Sequence, residues 1–386
     1  MTRTTDPFAA AGWTVRRLGV VMAPDPDDPR EAGGVCNPAC ARGPDGELYL
    51  FPRLVAEGNY SRVGLARVRF DDGVPAGVER LGVALEPEEL WERHRGGGGV
   101  EDPRITFVPT LGRYVMAYTG WGPLGPRIAL ATSIDLERWE RLGPVGFAFD
   151  PGLRTDLNLY PNKDALLFPE PVPGPDGEPA FALLHRPMWD LSWSNPAEGE
   201  VPPPGLPDPR PGIWVSFAPA KEVLADPVRL TNLRDHRLVA LPERPWEEAK
   251  LGGGTPPLRV KGGWLVLHHG VAGALAPGRV EHQPAVRYAA GAMLLDPEDV
   301  TRVLARSAEP LLEPKLPGER EGVVANVVFP TAIDRRGEDE ADVYYGMADA
   351  RIGAFRLTMG PVPRPTGGPP RRSPGPPRPT GGRPRR

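Results

Sequence analysis

Apolar positions along the chain fall in short runs that come in pairs, with few long amphipathic stretches. In each pair an apolar strand and a turn lead to a second strand, most often opening with arginine and continuing apolar-small-apolar-small. The second strand stands at Arg62–Ala66, Arg127–Ala131, Gly212–Ser216, Arg287–Gly291 and Arg351–Phe355. Its partner precedes it each time, at Glu47–Leu54, Arg113–Tyr118, Pro179–His185, Gly263–His269 and Asp342–Tyr345. The starts at 62, 127, 212, 287 and 351 are 65, 85, 75 and 64 residues apart, room for a four-stranded sheet with elaborated loops. Radial repetition of such sheets limits exposed strand edges, so the pattern predicts an all-β fold, a five-bladed β-propeller. A β-sandwich is the competing class, but sandwiches do not ordinarily repeat one strand pair five times. Helix signals are confined to Pro87–His94 and Asp296–Leu304, each expected as a single short turn or helix.

Composition supports many short strands joined by turns, since 52 prolines and 47 glycines are spread through the 386 residues. Hydrophobic residues at 40% and charged residues at 25% lie in the globular range. Residues 360–386 are rich in Pro, Gly and Arg, cannot bury apolar area and are expected to be a disordered tail. The predicted organisation is residues 1–34 as a segment leading into the propeller, 35–359 as the catalytic propeller and 360–386 as the tail. Taking the tail's seven arginines from the formal charge of −4 leaves the body at −11, which argues against a nucleic-acid partner. No apolar leader or membrane-length run is present, so a cytoplasmic enzyme without a membrane partner is expected. Cys36 and Cys40 stand alone without a second pair or a nearby His, so no metal site is expected and both read as buried thiols.

Candidate chemistry begins at Gly96–Arg104, where Glu101 and Asp102 follow a glycine run. Alternation along an extended segment predicts that only one of the two acids faces a given cavity. Basic groups sit at or near the ends of apolar strands: Lys163, Arg186 and His269, with Lys250 ahead of Gly252–Gly254. Converging at a propeller axis, these four would form an anion pocket; taken singly, each is better explained by local pairing with a carboxylate such as Asp164 or Glu170. His94, His236 and His282 read as solvated surface histidines. Trp121, Trp189 and Trp214 beside predicted strands suit sugar platforms, although core packing explains most tryptophans. There is no nucleophile elbow, phosphate loop, dinucleotide fingerprint or zinc-protease motif.

Together these segments resemble glycoside hydrolase family 130, the β-mannoside phosphorylases and related mannosidases. The matching stretches are Asn37–Ala39, Val100–Ile105, Asn162–Ala165 with Phe168–Glu170, Leu184–Pro187, Lys250–Gly254 with Pro256 and Pro257, His268–Val271, Asn326–Pro330, and Tyr344–Gly346 with Asp349. They run in family order from about residue 35 to 355. The resemblance implies a five-bladed propeller and inverting phosphorolysis of a terminal β-1,4- or β-1,2-mannoside to α-mannose 1-phosphate and a shortened acceptor. By the same matching, Asp102 is the proton donor, acting through a hydroxyl of the bound sugar. Lys163, Arg186, Lys250 and His269 bind phosphate, and Asn37, Arg53, Arg104 and Asp349 contact substrate. Phosphate is the co-substrate, no cofactor is implied, and family members commonly associate into homo-oligomers. Where several phosphorylases carry Arg-Asn this chain has Lys163-Asp164, which loses bidentate reach and sets a carboxylate beside the lysine. Glu101 stands where related enzymes often have tyrosine, and no catalytic role attaches to it. The alternatives are a hydrolase of the same family, with a glutamate activating water, and a non-catalytic glycan-binding propeller.

Overall fold

In a computed structural model the described residues are 6–94, 97–191, 197–274 and 285–362, and they are nearly all β. Five antiparallel meanders follow in chain order. The first is Gly34–Arg42, Leu48–Ala56, Tyr60–Asp71 and Val74–Leu85; the second is Gly98–Val108, Arg113–Gly122, Gly125–Ser133 and Glu140–Pro144. These two are joined by a parallel bridge pairing Tyr60 with Gly98 and Ser61 with Gly99. A side chain on Gly99 would put its Cβ 2.1 Å from the Ser61 carbonyl oxygen, so this junction requires glycine.

The third meander is Asn162–Leu167, Pro179–Pro187, Ile213–Pro219 and Asn232–Ala240, and the fourth is Lys250–Gly253, Gly263–Gly273, Val286–Leu295 and Val303–Arg306. The fifth takes Val328–Arg335, Glu340–Met347 and Arg351–Thr358 and is completed by Thr14–Met22 from the start of the chain, antiparallel to Arg351–Thr358. All ten strands expected from the pattern are present, and each pair is hydrogen-bonded. Within the expected leading segment 1–34, residues 14–22 are an integral strand of the last sheet, where they add a fourth strand to the three of the fifth unit. The 296–304 stretch forms no helix and runs into the strand Val303–Arg306, while Leu90–Glu92 is a single 3-10 turn. The expected tail lies outside the described residues from 363 onward. Among the described residues no helix is long and apolar enough to cross a membrane.

Both faces of these sheets are covered, which explains why their strands read as continuous apolar runs. Neighbouring residues enter different cores: Leu166 and Leu184 pack with Val215, Trp264 and Met293, while Leu167 and Leu183 pack with Val115, Leu130 and Trp214. Five such layers lie between successive meanders, and the layer holding Val21, Leu50, Ala332 and Tyr344 joins the fifth to the first.

An ion pair on a buried glutamate recurs in four meanders. A glutamate in a short turn before the first strand meets an arginine on the fourth: Glu31–Arg80 at 2.8 Å, Glu92–Arg141 at 2.9 Å, Glu247–Arg306 at 2.5 Å and Glu319–Arg17 at 2.7 Å. Each glutamate also accepts from backbone N–H groups of its own turn or the segment before it, and Tyr118, His268 and Tyr345 on second strands bond to three of them. In the third meander a neutral chain replaces the pair. His236 donates to the Ala148 carbonyl and accepts from Ser216, which accepts from His185, whose Nδ1 accepts from Asn162. His236, expected at the surface, is thus a buried structural residue; His94 is exposed, and His282 lies outside the described residues.

Burial opposes ionisation of Glu247, but the His268 hydrogen bond and the charges of His268 and Arg306 hold its carboxyl down at about 2. Its contribution is therefore complete above the ordinary carboxylate pKa and lost as pH falls towards 2. Glu247→Gln, which leaves Arg306 buried without its counter-charge, should cost about 3 kcal/mol in urea unfolding at pH 7. The difference from wild type should shrink on acidification.

Candidate active site

The site grows from irregularities in first strands. In four meanders the pairing slips by one residue, and in the first three of them Cys36 faces Arg53 but Ala39 faces Phe51, Glu101 faces Thr119 but Arg104 faces Ala117, and Lys163 faces Arg186 but Leu166 faces Leu184. Within the slips, Asn37, Asp102 and Asp164 have φ of 42°, 48° and 59°, left-handed values that Asn and Asp tolerate better than other side chains. Asn326, just ahead of the fifth meander, has φ 60°, and Asp349, after that meander's second strand, has φ 50°.

These bulges correct one expectation. Glu101 and Asp102 do not point to opposite sides, because the φ reversal at Asp102 breaks the alternation. Both are buried and meet the same cations. Arg53 donates from Nη2 to Glu101 Oε1 at 2.7 Å and from Nη1 to Asp102 Oδ1 at 3.3 Å. Lys163 donates to Glu101 Oε2 at 3.0 Å and stands 3.8 Å from Asp102 Oδ2. Asn37 Nδ2 donates to Asp102 Oδ1 at 2.9 Å, and Arg104 Nη1 donates to the Asp102 carbonyl at 2.7 Å.

A second group adjoins the first. Arg186 Nε donates to Asp164 Oδ2 at 2.6 Å, and His269 Nε2 lies 3.7 Å from the same oxygen. A Cβ on Gly252 would fall 2.3 Å from that oxygen and 2.4 Å from the His269 ring, so glycine there lets the fourth meander close on the third. Arg104 couples the groups electrostatically, acting on both Asp102 and Asp164, and Lys250 feels Arg186, Asp164, Lys163 and Asp349. All nine residues singled out from the sequence thus belong to one charged cluster. Asp164 pairs with Arg186 rather than with its neighbour Lys163, and Glu170 is exposed and takes no part in the cluster.

Burial is the largest influence on Lys250, His269, Asp349, Asp102 and Asp164. It drives Lys250 down to about 7, helped by Arg186, and His269 down to about 3, so the imidazole is neutral and not the fourth cation that the strand ends suggested. Burial lifts Asp349 to about 6. At Asp102 burial is outweighed by Arg53, Lys163, Arg104 and the Asn37 hydrogen bond, which hold the carboxyl near 2; at Asp164, Arg186 and its neighbours hold it lower still. Four buried polar atoms here have no hydrogen-bond partner among the described residues: Arg186 Nη1, Arg104 Nη2, His269 Nδ1 and Asn37 Oδ1. No ion pair joins Lys250 to a described carboxylate; its ammonium lies 5.4 Å from the Tyr288 ring centre. Unpaired buried donors beside a lone ammonium suit an oxyanion.

A cavity of about 490 Å³ reaches Arg53, Asp349 and Cys36. A second, of about 460 Å³, is lined mainly by apolar groups such as Trp91, Leu124, Ile128 and Phe147 and offers an anion only Arg127, whose guanidinium serves the Asn158 and Tyr160 carbonyls. Trp121 lies 5.3 Å from the Lys163 ammonium, whereas Trp189 and Trp214 are core residues. Glu101, Asp164 and Tyr288 complete the cluster without having been assigned roles from sequence; the adjacency of two acids and of Lys163 to Asp164 were the available signals for the first two.

A family model described as beta-1,4-mannooligosaccharide phosphorylase matches residues 14–175 and 207–362. A 1,2-beta-oligomannan phosphorylase of Thermoanaerobacter sp. (strain X514) is 33% identical over 348 residues, covering 88% of this chain and 95% of that protein. A beta-1,2-mannobiose phosphorylase of Listeria innocua is 30% identical over 265 residues, 68% of this chain and 59% of that protein. Among solved structures, the Listeria innocua beta-1,2-mannobiose phosphorylase bound to beta-1,2-mannobiose aligns with a TM-score of 0.64 at 23% identity, over 89% of this chain and 96% of that one, a likeness of fold.

Phosphate or sulfate added to the free protein should raise its melting temperature at fixed pH and ionic strength. At one hundred times Kd the gain should correspond to about 2.7 kcal/mol. Arg186→Ala should abolish it.

Proposed function

The chain belongs to glycoside hydrolase family 130, and on that premise we propose that it cleaves a terminal β-mannoside with inorganic phosphate, inverting the anomeric centre to give α-mannose 1-phosphate and a shortened acceptor. The observation that carries this reading is the pair of unpartnered buried N–H groups on Arg186 and Arg104 beside Lys250, in a cluster where Arg104 acts on both Asp102 and Asp164. A five-bladed propeller is the architecture we read from the five meanders and the five apolar layers between them, the last of which returns to the first.

In this reading Arg186, Lys250 and Lys163 bind phosphate with His269 as a neutral hydrogen-bonding partner, and Asp102 protonates the leaving oxygen by way of a sugar hydroxyl. Asn37, Arg53, Arg104 and Asp349 hold the sugar and the acid. The reaction is neutral in protons: hydrogen phosphate gives one up as its oxygen bonds to the anomeric carbon, and the leaving oxygen gains one as its bond breaks. Asp102 therefore gives its proton to the leaving oxygen and regains one from the transferred phosphate, so each turnover begins and ends with the carboxyl protonated. A phosphate anion engaging the cations weakens their hold on Asp102, moving its pKa up from the depressed value of the free protein. Phosphate supplies the nucleophile and side-chain cations supply the charge, so the reaction calls for no cofactor. The bond cleaved is a β-1,2- or β-1,4-mannosidic linkage. We take the enzyme to work in the cytoplasm, with mannosides and phosphate rather than nucleic acid or membranes as partners; the two free, buried cysteines suit a reducing compartment.

Incubation with β-mannobiose isomers should release mannose 1-phosphate only when phosphate is present; equal mannose release without it would indicate hydrolysis. Asp102→Asn should lower kcat by at least a hundredfold with the circular dichroism spectrum unchanged. Because the Lys250 ammonium loses its proton as pH rises through about 7, kcat/KM for phosphate should fall above that pH. Lys250→Arg should carry phosphate binding to higher pH.

A further inference from the structure

Glu101 stands apart from the roles assigned above, yet it is 1% exposed and answers two cations at once. Its two carboxylate oxygens take Arg53 at 2.7 Å and Lys163 at 3.0 Å, and both cations lie closer to it than to Asp102, at 3.3 and 3.8 Å. Arg53 is anchored further by donating to Ser61 Oγ at 2.8 Å and Asn59 Oδ1 at 3.1 Å. The arrangement is a ring in which two carboxylates and two cations alternate.

The groups that face Asp102 come from every neighbouring meander. The first supplies Asn37, Arg53 and the Cys36 thiol, which burial keeps protonated; the second supplies Glu101 and Arg104, the third Lys163, the fourth Tyr288 and the last Asp349. Three cations in this list bear on one catalytic carboxylate. Were Glu101 uncharged, Arg53 and Lys163 would have Asp102 as their nearest ionic partner and would stabilise its ionised form more strongly. A sharper hold on the anion is a poorer setting for a group that must carry a proton.

We infer that Glu101 is a positioning residue for proton delivery: by holding Arg53 and Lys163 on its two oxygens it keeps both cations from closing on Asp102, and so leaves that carboxylate able to take up and release the proton of the reaction. The inference rests on Asp102 being the donor. It also gives a physical reason for an acid at this position beside a lysine at 163, since each neutralises the other.

The test is the pH dependence of kcat at saturating phosphate and mannoside. In Glu101→Gln the alkaline limb, where Asp102 loses its proton in the bound complex, should move to lower pH by about one unit, with the circular dichroism spectrum unchanged. A folded Glu101→Gln enzyme whose limb is unmoved, or moves upward, overturns the inference. Should that variant not fold because two cations are left uncompensated, the charge-balanced pair decides. Lys163→Gln should move the limb up, and adding Glu101→Gln should bring it back towards wild type. A double variant whose limb coincides with that of Lys163→Gln again overturns the role of Glu101. Asp102→Asn keeps the two failures apart: full activity in that variant removes the donor assignment, whereas an inactive Asp102→Asn with an unmoved Glu101→Gln limb removes only the present inference.

Discussion

Apart from Lys250, charge buried among the described residues is met by opposite charge or hydrogen bonds, and that constraint organises both the scaffold and the site. An ion moved from water into an apolar interior loses several kcal/mol even after relaxation. Each of the four recurring glutamates answers that loss with an arginine from the far strand of its own sheet and with backbone donors from the turn beside it. The pair ties the entry of the first strand to the fourth, so every such meander begins from a fixed point. The third, with its His185–Ser216–His236 chain, meets the same requirement with neutral groups.

From these fixed entries the first strands run only a few residues before Asn37, Asp102 and Asp164 reverse φ. The extra residue in each strand turns a side chain out of the sheet's alternation and towards its neighbours. Charge compensation then operates across sheets as well as within one. Arg53 and Lys163, from the first and third meanders, close on acids of the second, and Arg186 and His269, from the third and fourth, converge on Asp164. At the site, what is left uncompensated among the described residues is a lysine ammonium without a carboxylate and single N–H-bearing atoms of Arg104 and Arg186.

The strand pairs were legible because burial on both faces forces near-continuous apolar segments, and turns rich in Gly and Pro separate them. Runs such as Ala182–Leu184 and Leu265–Leu267 leave little ambiguity. The first strands did not stand out in the paired pattern, since polar residues, bulges or glycines interrupt several of them: Asn162–Leu167 contains a lysine and an aspartate, and Lys250–Gly253 is half glycine. Thr14–Met22 was missed as part of the last sheet because its partner lies more than three hundred residues away and no local pattern records such a pairing. The glutamate before the first strand and the arginine on the fourth were there to be read, each amid surface-like charges, but what marks them is burial, which sequence does not display. At the site, residue identities were readable through resemblance, while the shared facing of Glu101 and Asp102 was not, because it depends on one dihedral angle. The neutral state of His269 likewise comes from packing against Phe329 and Tyr288, which are distant in sequence.

The strand at residues 14–22 also sets a timetable. During synthesis it leaves the ribosome before any of the five sheets exists, yet its only hydrogen-bonded neighbour, Arg351–Thr358, is among the final strands to emerge. Until that neighbour emerges the strand has an unsatisfied edge, and the last sheet cannot be finished before Thr358 is free. Closure of the fifth sheet therefore waits on a pairing between strands that the other four sheets separate.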